Sequence, residues 1–294
     1  MEPSTIAVGN LEFSALTAGE NDSRAAVILL HGFPDDHTTF SAQLGPIADA
    51  GFFVVAPLLR GYEPSSQPAD GDYGLVAIAG DVIAMAEQLE VDEVHLVGHD
   101  WGAVTAYVAA ASSPETFASI VTMAVPHLAR IPQSVRRVPI QLVKSWYMTF
   151  FQLRWLSDRA ASRNDWALLR RLWRWWSPGY EIDDDQWRER TTTFGAPGVR
   201  SAMLSYYRQN ATPPILLGLR KTEAMRLTSV PVRTLAITGS DDGCIDTRMF
   251  DKGMFDEDFP CGMRVERIEG AGHFVHLEQP DRINELLLDW IGAA

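Results

Sequence analysis

Over the first 126 residues, apolar positions fall into short unbroken runs: AAVILLH (25–31), FFVVAPLL (52–59), EVHLVGH (93–99) and SIVTMAV (119–125). Continuous rather than alternating apolar character predicts strands of a parallel sheet covered on both faces. Segments with helical spacing, such as LVAIAGDVIAMAEQLE (75–90), lie between them, so the repeating unit is a strand-helix crossover. From about residue 128 to 226 no strand is evident and helical spacing dominates. After Pro231 the strands resume with RTLAITG (233–239) and RVERIEG (264–270), separated by a helix-like stretch at 246–256. An amphipathic helix, DRINELLLDWIGA, closes the chain. The pattern predicts a core domain built from 1–127 and 227–294, with an all-helical lid inserted at 128–226.

Composition adds little to this picture, and charge adds more. Hydrophobic residues make up 46% of the 294 positions and charged residues 21%, which suits a folded protein with a sizeable core. The net charge of −13 argues against nucleic acid as a partner, because phosphate contacts need a basic surface. Charge is uneven, however: residues 128–226 carry 17 Lys plus Arg against 8 Asp plus Glu, a net +9, leaving −22 for the remainder. Seven of the nine tryptophans fall in the same basic segment, as expected of a lid that docks on an acidic body. The stretch DWALLRRLWRWWSPG (165–179) lines up Leu168, Leu169, Leu172, Trp173 and Trp176, with Arg170, Arg171 and Arg174 away from them. Such a stripe suits a membrane surface, but a lid helix packed on its neighbours accounts for it better, and no membrane partner is expected. The beginning of the chain lacks the basic start and apolar run of a secretory signal. Two cysteines, Cys244 and Cys261, make neither a disulfide framework nor a metal-ligand spacing. The expectation is a reduced, cytoplasmic protein with no metal and no cofactor.

The chemistry centres on GHDWGA (98–103), where Asp100 stands between a buried strand and a buried helix. Gly98-x-Asp100-x-Gly102 suits a sharp strand-to-helix turn that exposes the central side chain. An ordinary helix cap explains the aspartate but not the flanking glycines. A carboxylate nucleophile there displaces a leaving group at carbon and forms an ester that water must then break, so a base is required. His273 in GAGHFVHLEQP, just past a strand end in a Gly-rich turn, is the candidate base, with His276 its nearest rival. GSDDG supplies the acid that would orient the imidazole; Asp242 takes that role and Asp241 that of a turn residue. In HGFPDD (31–36), the Phe33 N–H can join that of Trp101 as an oxyanion donor, and Phe33-Pro34 is a candidate cis peptide.

Taken together, HGFP, GHDWGA, GSDDG and GAGHFVHLEQP resemble the α/β-hydrolase superfamily and, within it, the epoxide hydrolases. The resemblance implies a mostly parallel sheet flanked by helices with a helical lid. It also implies a chain order of nucleophile Asp100, acid Asp242 and base His273, which selects His273 over His276. Two lid tyrosines that activate the epoxide oxygen are matched by Tyr147 in SWYMTFFQ and Tyr207 in SYYRQN; Tyr206 is expected to serve packing. Tyr147 shares a helical face with Val143, Phe150 and Phe151, and Tyr207 with Val199 and Met203, so both hydroxyls should point inward. The substrate pocket is expected to include Phe33, Trp101, Phe151 and Met203. An apolar epoxide and water are the implied substrates, handled by a monomer or homodimer. A haloalkane or haloacid dehalogenase would use the same aspartate nucleophile, but its halide needs no proton from paired tyrosines. A non-catalytic binding module has no reason to keep all five groups. Two departures stand out in LLRGYEP (58–64): Leu58 replaces the carboxylate expected to partner Arg60, and Glu63 replaces a turn glycine.

Overall fold

The apolar runs become the interior of one eight-stranded sheet in the computed structural model, which describes residues 1–293. The strands are β1 (Glu2–Val8), β2 (Leu11–Ala18), β3 (Ala25–Leu30), β4 (Phe53–Pro57), β5 (Glu93–His99), β6 (Ser119–Met123), β7 (Arg233–Gly239) and β8 (Met263–Ile268), in spatial order β1-β2-β4-β3-β5-β6-β7-β8. From β4 to β8 all neighbours pair in parallel, as the continuous burial of β3 to β7 demands, and β8 is a half-exposed edge strand. The first two strands were absent from the sequence expectation. They form an antiparallel hairpin whose second strand pairs antiparallel with β4, and only β2 keeps buried positions, Phe13 and Ala15. Their half-exposed alternation is a different signal from the solid runs of the parallel strands.

Successive residues of β3 serve opposite faces. Val27 and Leu29 pack under α1 (Ser41–Asp49) and the last helix, α14 (Pro280–Ile291), whereas Ile28 and Leu30 pack under α2 (Leu75–Glu87) and α3 (Trp101–Ser112). The remaining core helices are α12 (Arg248–Gly253) and α13 (Val275–Glu278). Between β6 and β7 every helix follows another: α4 (Ile131–Arg137), α5 (Ile140–Lys144), α6 (Trp146–Phe150), α7 (Arg154–Ser162), α8 (Ala167–Trp176), α9 (Asp184–Gly195), α10 (Val199–Asn210) and α11 (Pro213–Leu216). The stripe on α8 is turned inward, with Leu169, Leu172, Trp173 and Trp176 buried and Trp173 stacked on Phe274 at 3.7 Å. The helix-packing expectation therefore holds for that stripe.

The two departures at 58–64 are absorbed by new partners. Arg60 forms a bidentate pair with Asp81 of α2, both bonds 2.6 Å, while Leu58 is buried in the core. Glu63 reaches back to β2, where it accepts from the Ser14 amide and hydroxyl at 2.6 Å each. Tyr206 is buried as expected and also donates to the Arg60 carbonyl at 2.8 Å.

The helical segment is tied to the sheet's loops by a buried ion pair. Arg190 of α9 donates to Asp35 at 2.6 Å, and Thr193 donates to Asp36 at 2.7 Å, so the loop after β3 is held by α9. Removing one member of such a pair leaves a buried charge unpaired and costs about 3–5 kcal/mol. Arg190→Met should lower the unfolding free energy by about that amount in a denaturant titration, and adding Asp35→Asn should recover part of it. A loss below about 1 kcal/mol would mean the pair does not hold the two parts together.

Candidate active site

Four loops leave the carboxyl ends of β3, β5, β7 and β8 and meet at one edge of the sheet, the edge where open α/β sheets place their ligands. The loop after β5 contributes Asp100, whose φ of 50° lies in the left-handed region, an unusual conformation for a residue with a side chain. A Cβ at Gly102 would collide with the Leu30 carbonyl, and one at Gly98 with the Gly102 backbone, so the turn exists only with glycine at both. The loop after β3 contains the cis Phe33-Pro34 peptide and directs the Phe33 N–H onto Asp100 Oδ1 at 2.9 Å. Trp101 opens α3, so its N–H is one of the first-turn donors that have no partner within the helix.

The loop after β7 places Asp242 so that Oδ1 accepts from the Cys244 and Ile245 amides, at 2.6 and 2.8 Å. Its Oδ2 faces His273 Nδ1 at 2.9 Å, and His273 Nε2 lies 3.5 Å from Asp100 Oδ2. Asp242 and His273 are buried, and Asp100 is nearly so. Asp241 is exposed and bonded to Ser240, as a turn residue should be. His276 points elsewhere, to Thr39 Oγ1 at 2.6 Å. Two further histidines brace the same edge: His99 Nε2 donates to the His273 carbonyl at 3.0 Å, and His31 Nε2 accepts from the Leu59 amide at 3.0 Å. Burial pushes His99 down to about 3 and His31 to about 4, so both are neutral supports.

The end of α8 runs between the acid and base loops, which the sequence did not disclose. The Trp176 carbonyl accepts from both the Gly243 and the His273 amides at 3.0 Å. A side chain at Gly243 would strike the Trp175 carbonyl, and one at Gly272 would lie 2.6 Å from Ser177 Cα, so both loops carry glycine where α8 crosses them. Ser177 continues the clamp, accepting from the Phe274 amide at 3.0 Å and donating to Glu278 at 2.6 Å. On the other side, α5 holds the acid loop through Gln141, bonded to the Cys244 carbonyl at 2.9 Å, and Lys144, bonded to the Asp242 carbonyl at 2.7 Å. Gln141 and Lys144 carry no sequence signal, because their role depends on a loop some hundred residues away.

Both expected tyrosines are buried beside this group, with ring centroids 5.6 Å apart, but they are used differently. The Tyr207 hydroxyl faces the Trp101 indole and has no protein acceptor for its own proton, and Tyr207 lines an apolar cavity together with Asp100 and Trp101. The Tyr147 hydroxyl meets Cys244 Sγ at 3.3 Å, and Tyr147 is not part of the cavity wall. The helix expected around Tyr147 is broken at Ser145, which turns Val143 out to solvent at 65% exposure while Phe151 stays buried. Val143 therefore does not share the inward face. Of the four residues expected to line the pocket, Trp101 does so. Phe33, Phe151 and Met203 do not: the first two stand behind Tyr207 at 5.0 and 5.1 Å between rings, and Met203 is buried one turn earlier on α10. The cavity runs instead between Val104, Leu128, Ile131, Val135, Met148 and Ile215.

Among the described residues, one mixed cluster brings metal-type donors within 4.8 Å of one another: Asp242, Cys244 and His273. Its members are already engaged, Asp242 with His273 and Cys244 with Tyr147. The electrostatics follow from this layout. Burial opposes charge on His273, but the Asp242 carboxylate, helped by Asp100, overrides it and pushes the imidazole up to about 10. Burial likewise opposes ionisation of Asp100, yet the hydrogen bond and charge of His273 hold it below the usual carboxylate range. Burial, with the Asp100 charge, pushes the Tyr207 phenol well above its ordinary value, so it keeps its proton. The His273 ring resonances should therefore stay at their imidazolium position across neutral pH in an NMR titration and move only toward pH 10. Asp100→Asn should lower that midpoint, and a midpoint at or below 6.5 in the unaltered protein would contradict the assignment of charges.

Comparison with known proteins agrees with this fold. The sequence pattern of the alpha/beta hydrolase fold family matches residues 25–280. An AB hydrolase superfamily protein of Bacillus subtilis, YfhM, is 28% identical over 93% of this chain and 92% of its own. An epoxide hydrolase of Caballeronia sordidicola is 28% identical over 98% of this chain and 95% of its own. The crystal structure of a Bacillus megaterium epoxide hydrolase superposes with a TM-score of 0.84 at 25% identity, covering 98% of this chain and all of that one. A chain matched over most of its length, with this sheet order and this edge, belongs to the α/β-hydrolase fold family.

Proposed function

We propose that this protein is an epoxide hydrolase that opens an apolar epoxide to a vicinal diol through an ester on Asp100. The observation that carries the reading is the Tyr207 hydroxyl, buried, its proton taken by no acceptor, and set in the same cavity wall as Asp100. A protonated phenol facing a carboxylate nucleophile suits a leaving group that needs a proton, and an epoxide oxygen is such a group. The names of the relatives, epoxide hydrolases among them, support the same class.

In this reading the helices of residues 128–226 act as a lid over the cavity. Asp100 Oδ2 attacks a ring carbon, the C–O bond breaks, and the oxygen takes the Tyr207 proton. Tyr147 orients the ring oxygen once its hydroxyl leaves Cys244. Esterification removes the negative charge of Asp100, which is part of what keeps His273 protonated, so the imidazolium gives up its proton, which restores the Tyr207 phenol, and the neutral imidazole becomes able to act as a base. Held by Asp242, it takes a proton from the water that attacks the Asp100 carboxyl carbon. The oxyanion then forms on Oδ1, the atom that already accepts from Phe33 N–H, with the Trp101 N–H as second donor. Collapse releases a diol that carries one oxygen from Asp100.

A dehalogenase reading has one observation in its favour, the buried Trp101 indole N–H, which faces Tyr207 at the cavity wall and would suit a halide. Supplying an epoxide and a bromoalkane of equal size distinguishes the two: diol formation with little bromide release supports the hydrolase, and the reverse overturns it. Tyr207→Phe should reduce epoxide opening roughly 10²–10⁴-fold and Tyr147→Phe less, with the double variant inactive. Full activity in the double variant would remove both tyrosines from the reaction. In a single turnover in heavy-oxygen water, the first diol should be unlabelled, whereas label in it would mean that water attacks the epoxide directly.

A further inference from the structure

The helices that wall the cavity have a second, outward face. α5 and α6 turn Gln141, Ser145 and Met148 toward the cavity and Leu142, Val143 and Trp146 toward solvent. Trp146 lies 6.1 Å from Trp175 of α8, which is 51% exposed. Just beyond, Leu153, Trp155 and Leu156 extend the apolar surface, with Trp155 77% exposed. Single exposed apolar residues need no explanation, but tryptophans and leucines gathered on neighbouring helices do.

Basic groups predominate on this face, with the exposed Asp165 and the Arg174–Glu181 pair beside them. Arg159 lies four residues after Trp155 on α7, and Arg171 four residues before Trp175 on α8, so each guanidinium neighbours an exposed indole. Arg154 and Arg163 are also exposed, and none of the four has an ion-pair partner among the described residues. Between residues 153 and 176 there are two carboxylates: Asp158, tied to Arg208 at 2.6 Å, and the exposed Asp165. The stripe that sequence alone offered to a membrane, Leu168 to Trp176, is turned inward, with Leu168 half-buried and the rest buried; this surface is a different one.

We propose that the outer face of α5–α8 docks on an anionic phospholipid surface. Trp155, Leu153, Leu156 and Trp175 would enter the headgroup region and the four guanidinium groups would meet lipid phosphates. No helix among the described residues is long and apolar enough to cross a membrane, so the attachment is peripheral. The charge distribution, +9 on residues 128–226 against −22 elsewhere, orients this face toward an anionic surface and turns the acidic body away. A two-fold contact with a second copy would instead set the same arginines against each other. The dock brings the outer side of the cavity wall next to the phase in which apolar epoxides dissolve, and that clause alone rests on the proposed function.

The test is co-sedimentation of the full-length protein with vesicles of phosphatidylglycerol and phosphatidylcholine, beside vesicles of phosphatidylcholine alone. Binding to the anionic vesicles should be strong at low salt and fall with added sodium chloride. It should drop about tenfold or more in Arg154→Glu/Arg159→Glu and in Trp155→Ser/Leu156→Ser. Both variants should keep their hydrolysis of a small water-soluble epoxide, and their circular dichroism should match the parent. No vesicle binding, equal binding to both vesicle types, or undiminished binding by the variants would overturn the proposal. So would a dimer in sedimentation equilibrium that is lost in Trp155→Ser/Leu156→Ser while vesicles are ignored, because the face would then be a contact between copies. A protein that binds vesicles but opens no epoxide would sink the proposed function and leave the dock standing.

Discussion

Asp100, His273 and Asp242 place two carboxylates and an imidazole together where water is nearly excluded, and such charges are tolerated only if each is paired and hydrogen-bonded. Most of the surrounding architecture meets that condition. Asp242 is held by two amides of its own loop and by the imidazole. Asp100 has the Phe33 amide on one oxygen and His273 beside the other. The alternation of negative, positive and negative charge makes the pKa of the imidazole depend on the charge of Asp100. In the proposed reaction this couples formation of the ester to arming of the base.

The same constraint explains why the helical segment cannot be a detachable cover. The carbonyl of Trp176 fastens the base loop and the acid loop together, and α5 holds the acid loop from the opposite side. Arg190 fixes the loop that carries Phe33, the proposed oxyanion donor. A shift of α8 would thus move His273 and Gly243 together, which means that whatever admits substrate must open without dragging the end of α8. The cavity lies between α4, α5, α6, α10 and α11, and no residue of α8 lines it.

Much of this was legible in the chain because parallel strands and their terminal loops write strong local signals. Solid apolar runs located β3 to β7, and glycines around Asp100 and before His273 marked turns that expose one side chain. Other features depend on partners distant in sequence and left no local mark. Arg60 lost its expected neighbour at Leu58 yet found Asp81. Glu63 answered Ser14 on a strand that half-exposed alternation did not bring into the expected set. Helical periodicity carried Tyr147 correctly inward but misjudged Val143, because a break at Ser145 resets the register. Phe33, Phe151 and Met203 are not in the wall of this cavity, since periodicity says which face is buried and not whether that face meets a cavity or another ring.

The central claim is that Asp100 itself becomes bonded to substrate, and a variant that forms the ester but cannot break it tests this most directly. In His273→Gln, incubation with an epoxide should raise the intact mass of the protein by the mass of that epoxide, and fragmentation should place the added mass on Asp100. No adduct, or an adduct on another residue, would contradict the account.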